Sequence, residues 1–201
     1  MSQTAAGSAG RPLDLQVSDA LREATLAVLS RNGYERTTVA AIAAHARTSK
    51  QAVYRRFQNK EELVAASVAH ALLDATPGPP QRGSVAEDLR QCLAGMVGAL
   101  QETSLGGALR ALMPQREKTA IAAVLDEAEE GRRLLMRQIF IATPFEADME
   151  TRIDLLLGLV TFRLIVRGVR ITDEDIATAI YLVLGLVAPR DPEGPQGLPG
   201  M

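Results

Sequence analysis

Four side chains on one short stretch carry most of the chemistry that this sequence offers. In Ser49–Phe57 (SKQAVYRRF), helical spacing puts Lys50, Gln51, Tyr54 and Arg55 on one arc and Val53 and Phe57, at i and i+4, on another. Val53 and Phe57 are the expected core side. The first arc supplies base-edge donors and acceptors together with phosphate partners, the two kinds of contact by which duplex DNA is read. The flanking charge agrees. From Arg31 to Lys60 the chain carries Arg31, Arg36, Arg47, Lys50, Arg55, Arg56 and Lys60 against one acid, Glu35. The whole chain has a net charge of −2, yet residues 1–64 hold nine basic and six acidic side chains. That asymmetry points to a small polyanion-binding module on a neutral-to-acidic body.

Catalytic and metal chemistry has little raw material. His45 and His70 are the only histidines and Cys92 is the only cysteine, which excludes an intramolecular disulfide and any cysteine-only metal site. A reduced, cytoplasmic setting fits best. None of the patterns G-x-S-x-G, G-x-x-x-x-G-K-[ST], G-x-G-x-x-G or H-E-x-x-H occurs. No catalytic residue, metal or cofactor is expected. His45 reads as exposed near a helix end, His70 as lining the interior of the body, and Cys92 as a small buried apolar residue. Asp126, Glu127, Glu129 and Glu130 read as a wet helix face. The uncharged run Ile176–Ala188 is 13 residues, short of the roughly 18 of a membrane span. No basic segment followed by an apolar core opens the chain, so neither secretion nor a membrane partner is expected.

The elements that must position these groups are helical. Apolar residues make up 47% of the 201 residues; they are mainly Ala and Leu and recur with a period of 3.6, so the fold is all-α. Ser18 caps a first helix whose stripe is Leu21, Ala24, Thr25, Val28 and Leu29, and Asn32-Gly33 ends it. Short helices follow from about Thr38 to Ala46 and from Ser49 to Phe57. Asn59, with Glu62 at N3, opens a fourth. DATPGPPQRGS (Asp74–Ser84) interrupts helix formation. Ser84 with Glu87 starts a helix to about Glu102, and Gly106-Gly107 and Pro114 bracket a short one. A long helix runs from about Arg116 to Ile141, with a kink expected at Gly131. Thr143-Pro144-Phe145-Glu146 reads as the start of a helix to Gly168. Thr172, followed by Asp173, Glu174 and Asp175, starts the last, to about Val187. Residues 1–16 and 188–201, rich in Gly, Ser, Gln and Pro, read as a disordered arm and tail. The division is therefore a three-helix DNA-binding unit at 17–64 and a helical body at 65–187. Two short helices after a longer one have the proportions of a helix-turn-helix.

The residues that fix caps, core and contacts also resemble a known family. TTVAAIAAHARTSKQAVYRRFQNKEELV (Thr37–Val64) is similar to the DNA-binding signature of TetR/AcrR-type transcriptional regulators, approximately T-x-x-x-I-A-x-x-A-G-V-S-x-x-x-x-Y-x-x-F-x-x-K-x-x-L. It is met at Thr38, Ile42, Ala43, Ala46, Ser49, Tyr54, Phe57, Lys60 and Leu63, with Gly33-Tyr34 upstream. DLLLGLVTFRLIVRG (Asp154–Gly168) with its acid-capped last helix resembles the family's dimerisation half. One departure stands out. Arg47-Thr48 replaces the usual Gly-Val of the turn, and a non-glycine residue in a left-handed turn costs about 1 kcal/mol.

The resemblance implies a homodimeric repressor that covers a palindromic operator and is released by a small-molecule effector. The implied DNA-binding residues are Thr38, Arg47, Thr48, Ser49, Lys50, Gln51, Tyr54, Arg55, Arg56 and Lys60, with Tyr54 and Lys60 on phosphates. Met96, Met113, Met136, Phe140 and Phe162 are candidates for the effector site. Its mostly aliphatic surroundings favour an apolar or amphipathic molecule. Leu155, Leu159, Arg163, Ile180 and Leu184 are candidates for the dimer seam, with Arg163 either snorkelling to its edge, forming an ion pair or anchoring an acidic ligand group. Two other readings stay open: a constitutive DNA-binding helical protein without an inducer, and an all-helical enzyme or interaction protein with an incidental basic segment.

Overall fold

A computed structural model describes residues 10–81 and 83–185, all of them in helices, turns and loops. The expected tail at 188–201, and residues 1–9 of the expected arm, lie outside the described residues. The helices are α1 (Gly10–Arg36), α2 (Val39–His45), α3 (Lys50–Tyr54), α4 (Lys60–Asp74), α5 (Val85–Glu102), α6 (Ser104–Leu112), α7 (Thr119–Phe140), α8 (Met149–Val160) and α9 (Asp173–Val183).

Capping explains most boundaries. The side chains of Thr38, Ser49, Asn59, Ser84 and Thr172 each accept a hydrogen bond from a first-turn amide of the helix they precede. Asn59 accepts from Glu62 N–H at 2.8 Å, while the Glu62 carboxylate takes the amide of Gln58 at 2.6 Å. Thr172 and Asp175 form a reciprocal capping box. Gly33, at φ 75°, breaks α1 where a glycine terminator is expected. Two side chains satisfy the carbonyls left open there: Thr37 Oγ1 donates to Gly33 O at 2.7 Å and Arg36 Nε to Asn32 O at 2.9 Å.

Four boundaries differ from expectation. First, α1 reaches back to Gly10, so Ser18 lies inside the helix rather than capping it. Second, Gly106 and Gly107 sit within α6, which starts after Thr103. There they permit close approach: a Cβ on Gly107 would collide with the Ser30 side chain of α1, and one on Gly106 with the Leu100 carbonyl. Third, α7 starts at Thr119 and runs without a kink through Gly131. No side chain of its own caps it; the Glu61 carboxylate of α4 takes the Ala120 amide at 3.3 Å. Fourth, the Thr143–Glu146 signal builds a turn instead of a helix. Thr143 Oγ1 donates to Phe140 O at 2.6 Å and Glu146 accepts the amide of Ala142, which is left-handed at φ 62°. The chain thereby reverses, and α8 begins only at Met149. Its last segment, Thr161–Val166, widens into a π-helix.

Three cores stack along the molecule. Leu21, Ala24, Val28, Ile42, Ala43, Val53 and Leu63 form the core of a head made by α1–α4. Met136, Ile139, Phe140, Ile153, Leu156, Ile176 and Ile180 belong to the core of the body, which α5, α7, α8 and α9 share. Between them lies a junction core in which Leu29 and Tyr34 of the α1 segment and Val64, Val68 and Leu72 of α4 pack on Leu105, Leu109 and Leu112 of α6 and Ile121 and Leu125 of α7. The head is thus joined to the body by buried apolar contact, which side chains can transmit but not absorb. On the surface, Arg133 and Arg137 of α7 bind Glu129, Glu130, Glu150 and Asp154, linking α7 to α8. Part of the expected wet acidic face is therefore ion-paired.

Candidate nucleic-acid interface and internal cavity

The turn between α2 and α3 decides how the head presents its surface. Arg47 is left-handed at φ 52°. Its amide donates to Ala44 O at 3.2 Å and the Thr48 amide to Ala43 O at 2.9 Å. These are the two bonds of a Schellman motif with Arg47 at C′. An arginine therefore occupies the strained position that glycine fills without steric strain. Ser49 restarts the chain by accepting from Ala52 N–H at 3.1 Å, and α3 follows for five residues.

On α3 and the turn after it, Ala52 and Val53 are buried and Phe57 is half-buried against the head core. Lys50, Gln51, Tyr54 and Arg55 are exposed, as are Thr38, Arg47 and Ser49. Lys50 Nζ lies 5.8 Å from the centre of the Tyr54 ring, a loose cation–π approach on the same face. Three further candidates are placed differently. Thr48 is half-buried in the turn. Arg56 is half-buried, and its Nη1 donates to Ala52 O at 3.1 Å. Lys60 is half-buried, its ammonium donating to Tyr34 O at 3.0 Å and lying 4.1 Å from the Tyr34 ring centre. Lys118 at the start of α7 approaches the same ring at 5.6 Å. Burial, together with nearby Glu61, Glu35 and Glu117, raises the Tyr34 phenol above its usual range.

The body holds a cavity of about 910 Å³. It is walled by Ala66, Ala69, His70, Leu72 and Leu73 of α4, Met96, Ala99 and Leu100 of α5, Leu105 and Leu109 of α6, Val124, Leu125 and Ala128 of α7, and Leu157, Val160, Thr161 and Ile165 of α8 and its π-turn. Arg22 reaches it from α1. Of the five residues expected at an effector site, Met96 and Met113 line this cavity. Met136 and Phe140 do not: both are fully buried in the body core. Nor does Phe162, which is 54% exposed, whereas Thr161 and Ile165 of the same π-turn line the cavity. His70 lines the interior as its position suggested, whereas Arg22 and the rest of the α4 wall are cavity residues that sequence reasoning missed. The available signal was the i, i+3, i+4, i+7 spacing of Ala66, Ala69, His70 and Leu73, a second apolar stripe on α4.

The expected dimer seam also needs correction. Ile180 and Leu184 are buried in the protomer's own core, so a partner has no access to them. The exposed apolar residues nearby are Leu155, Phe162, Val166, Val169 and Leu182, with Leu159 half-buried. Arg163 forms an ion pair with Asp175 of α9 at 2.5 Å. His45 is exposed at the end of α2 and Cys92 is buried, its thiol pushed up to about 11 by desolvation. No described helix is long and apolar enough to cross a membrane.

Comparison with known proteins accounts for both halves. Residues 21–67 match the profile of bacterial regulatory proteins of the tetR family, and residues 79–183 that of the tetracyclin repressor-like C-terminal domain. An uncharacterized HTH-type transcriptional regulator of Mycobacterium bovis is 45% identical over 65 residues, 32% of each chain. The chain thus spans about a third of the length of such relatives. The Bacillus subtilis regulator YdeS, also uncharacterized, is 27% identical over 175 residues, 83% of this chain and 87% of its own. Among solved structures, a TetR family regulator from Marinobacter aquaeolei superposes with a TM-score of 0.62 at 23% identity, covering 90% of this chain and 100% of that one. AibR, in complex with isovaleryl coenzyme A and operator DNA, superposes with a TM-score of 0.62 at 20% identity, covering 87% and 100%. Likeness at such identity concerns the fold. Two adjoining profile matches, together spanning most of the described residues, place the chain in the TetR family of bacterial transcriptional regulators.

Proposed function

We propose that this protein is a homodimeric, cytoplasmic repressor that binds a palindromic operator and is released from it by a small apolar or amphipathic molecule. Binding, not catalysis, is its activity. Residues 17–64 bind DNA; residues 65–187 hold the effector and form the dimer. The observation that carries this reading is the placement of α4. Its Leu63 belongs to the head core, its Val64, Val68 and Leu72 to the junction core, and its Ala69, His70 and Leu73 to the cavity wall. An occupant of the cavity therefore pushes on an element that the head cannot move without.

Two copies present two reading faces. With Arg47, Lys50, Gln51, Tyr54 and Arg55 exposed on each, the arrangement suits half-sites roughly 34–36 Å apart, one DNA turn. The exposed apolar residues of α8, its π-turn and α9 offer the surface for the two-fold contact. Release needs a ligand that binds the DNA-incompetent arrangement more tightly. Sequencing the DNA retained by the purified protein tests the reading. The expected result is an inverted repeat whose binding weakens steeply with salt. Retention of DNA without any common sequence refutes it.

A further inference from the structure

Resting on the reading of the cavity as the effector site, we propose that its occupant is an aliphatic chain ending in a carboxylate, and that Arg22 of α1 receives the charge. The walls select the chain. Met96, Leu100, Leu105, Leu109 and Leu125 are aliphatic and flexible, and no Phe or Tyr is among the described residues lining the cavity. A planar ring finds no Phe or Tyr to stack on and a quaternary ammonium finds no aromatic cage, whereas flexible Met and Leu side chains repack around a flexible chain.

The polar edge selects the head. Arg22 Nη1 donates to exposed Asp19 at 2.6 Å, and no other nitrogen of this guanidinium has a hydrogen-bond partner among the described residues. Exposed pairs of this kind are weakly held. His70 Nε2 stands 3.3 Å from Arg22 Nη1 and 3.2 Å from Asp74 Oδ2. One ring nitrogen thus faces a group that only donates and a group that only accepts, and a neutral imidazole satisfies just one of them. A carboxylate beside Arg22 removes the conflict: it accepts from the guanidinium and leaves Nε2–H to donate to Asp74. Arg116 and Arg132, the other guanidiniums of the lining, are ion-paired as well, to Asp126 and Glu129; Arg22 differs from them in facing the His70 ring nitrogen. Glu127, the remaining carboxylate of the lining, is exposed on α7. Because Leu21 and Ala24 on the same helix build the head core, charge captured at Arg22 acts on the reading head directly, not only through α4.

The test uses full-length protein, calorimetry and release of operator DNA, with dodecanoate, dodecanol and dodecylammonium each below its micellar concentration. Dodecanoate is expected to bind once per protomer, at least about tenfold tighter than the other two, and to release the operator. In Arg22→Gln that preference is expected to vanish while dodecanol still binds, which shows that the cavity is intact; Arg22→Lys retains part of it. Equal or tighter binding of dodecylammonium, or an unchanged preference in Arg22→Gln, overturns the assignment of the head. If none of the three binds while another molecule releases the operator, the ligand class is wrong and the effector reading survives. If dodecanoate binds in an Arg22-dependent way but leaves the operator bound, the assignment stands and the cavity is not the site of release.

Discussion

Replacing Arg47 by glycine perturbs stability and DNA binding in opposite directions. At φ 52° the arginine bears a left-handed penalty of about 1–2 kcal/mol. Glycine removes it but loses more freedom on folding, which offsets about 0.5–1 kcal/mol. The two hydrogen bonds of the turn run from the Arg47 and Thr48 amides to the Ala44 and Ala43 carbonyls, so neither depends on the side chain. The expected net gain of about 0.5–1 kcal/mol raises the melting temperature by about 1–4 °C for a chain of this size. Arg47 is exposed in the turn that leads into the helix carrying Lys50, Gln51 and Tyr54, where a phosphate contact is expected. Losing one phosphate contact per protomer lowers the slope of log K against log salt by about 0.9 for each. Affinity therefore falls most at low salt while sequence preference holds. A melting curve and a salt titration on one variant measure both effects. A lower melting temperature refutes the strain argument, and an unchanged salt slope refutes the phosphate contact.

Three other changes probe different parts of the molecule. Lys60→Ala is expected to lower stability by about 1 kcal/mol in chemical denaturation, because the Tyr34 carbonyl and ring lose their ammonium partner, and to weaken binding to all DNA sequences alike; relaxed sequence preference counts against a phosphate role. Leu155→Glu places a charge on a side chain that is 61% exposed in the protomer, so the fold is expected to survive while light scattering reports monomers and operator binding is lost; a persistent dimer rules Leu155 out of the seam. Asp175 is held below the usual carboxylate range, chiefly by the Thr172 amide and also by Arg163, so its contribution is full above the unfolded carboxylate pKa and lost as pH falls through the depressed one. Asp175→Ala is accordingly expected to cost about 1 kcal/mol near neutral pH, with the difference from wild type shrinking below a pH of about 4; a difference independent of pH refutes a charged role.

Local chemistry was legible in the residues alone. Caps at Thr38, Ser49, Asn59, Ser84 and Thr172, the glycine break at Gly33 and the left-handed Arg47 all follow from backbone preferences that act within four residues. So does the outward arc of Lys50, Gln51, Tyr54 and Arg55, since it depends only on which neighbours of a short helix are apolar. The head could be read for this reason: it is small, and its core is made by helices adjacent in the chain.

Tertiary packing decided the rest. Thr143 and Glu146 carry the residue types of a helix start, but the reversal from α7 to α8 uses their oxygens to hold a tight turn. Gly106 and Gly107 look like breaks in isolation, yet they lie within α6, and at Gly107 α1 approaches too closely for a Cβ. Met136 and Phe162 have similar apolar character in the sequence, but one is fully buried and the other exposed, because a π-turn rotates the end of α8. Ile180 and Leu184 were assigned to a partner and belong to the protomer's own core. The cavity exists only where five helices and an arginine from α1 converge. Periodicity tells which face of a helix is apolar; whether that face meets a core, a void or a second copy depends on contacts distant in sequence, which no local preference encodes.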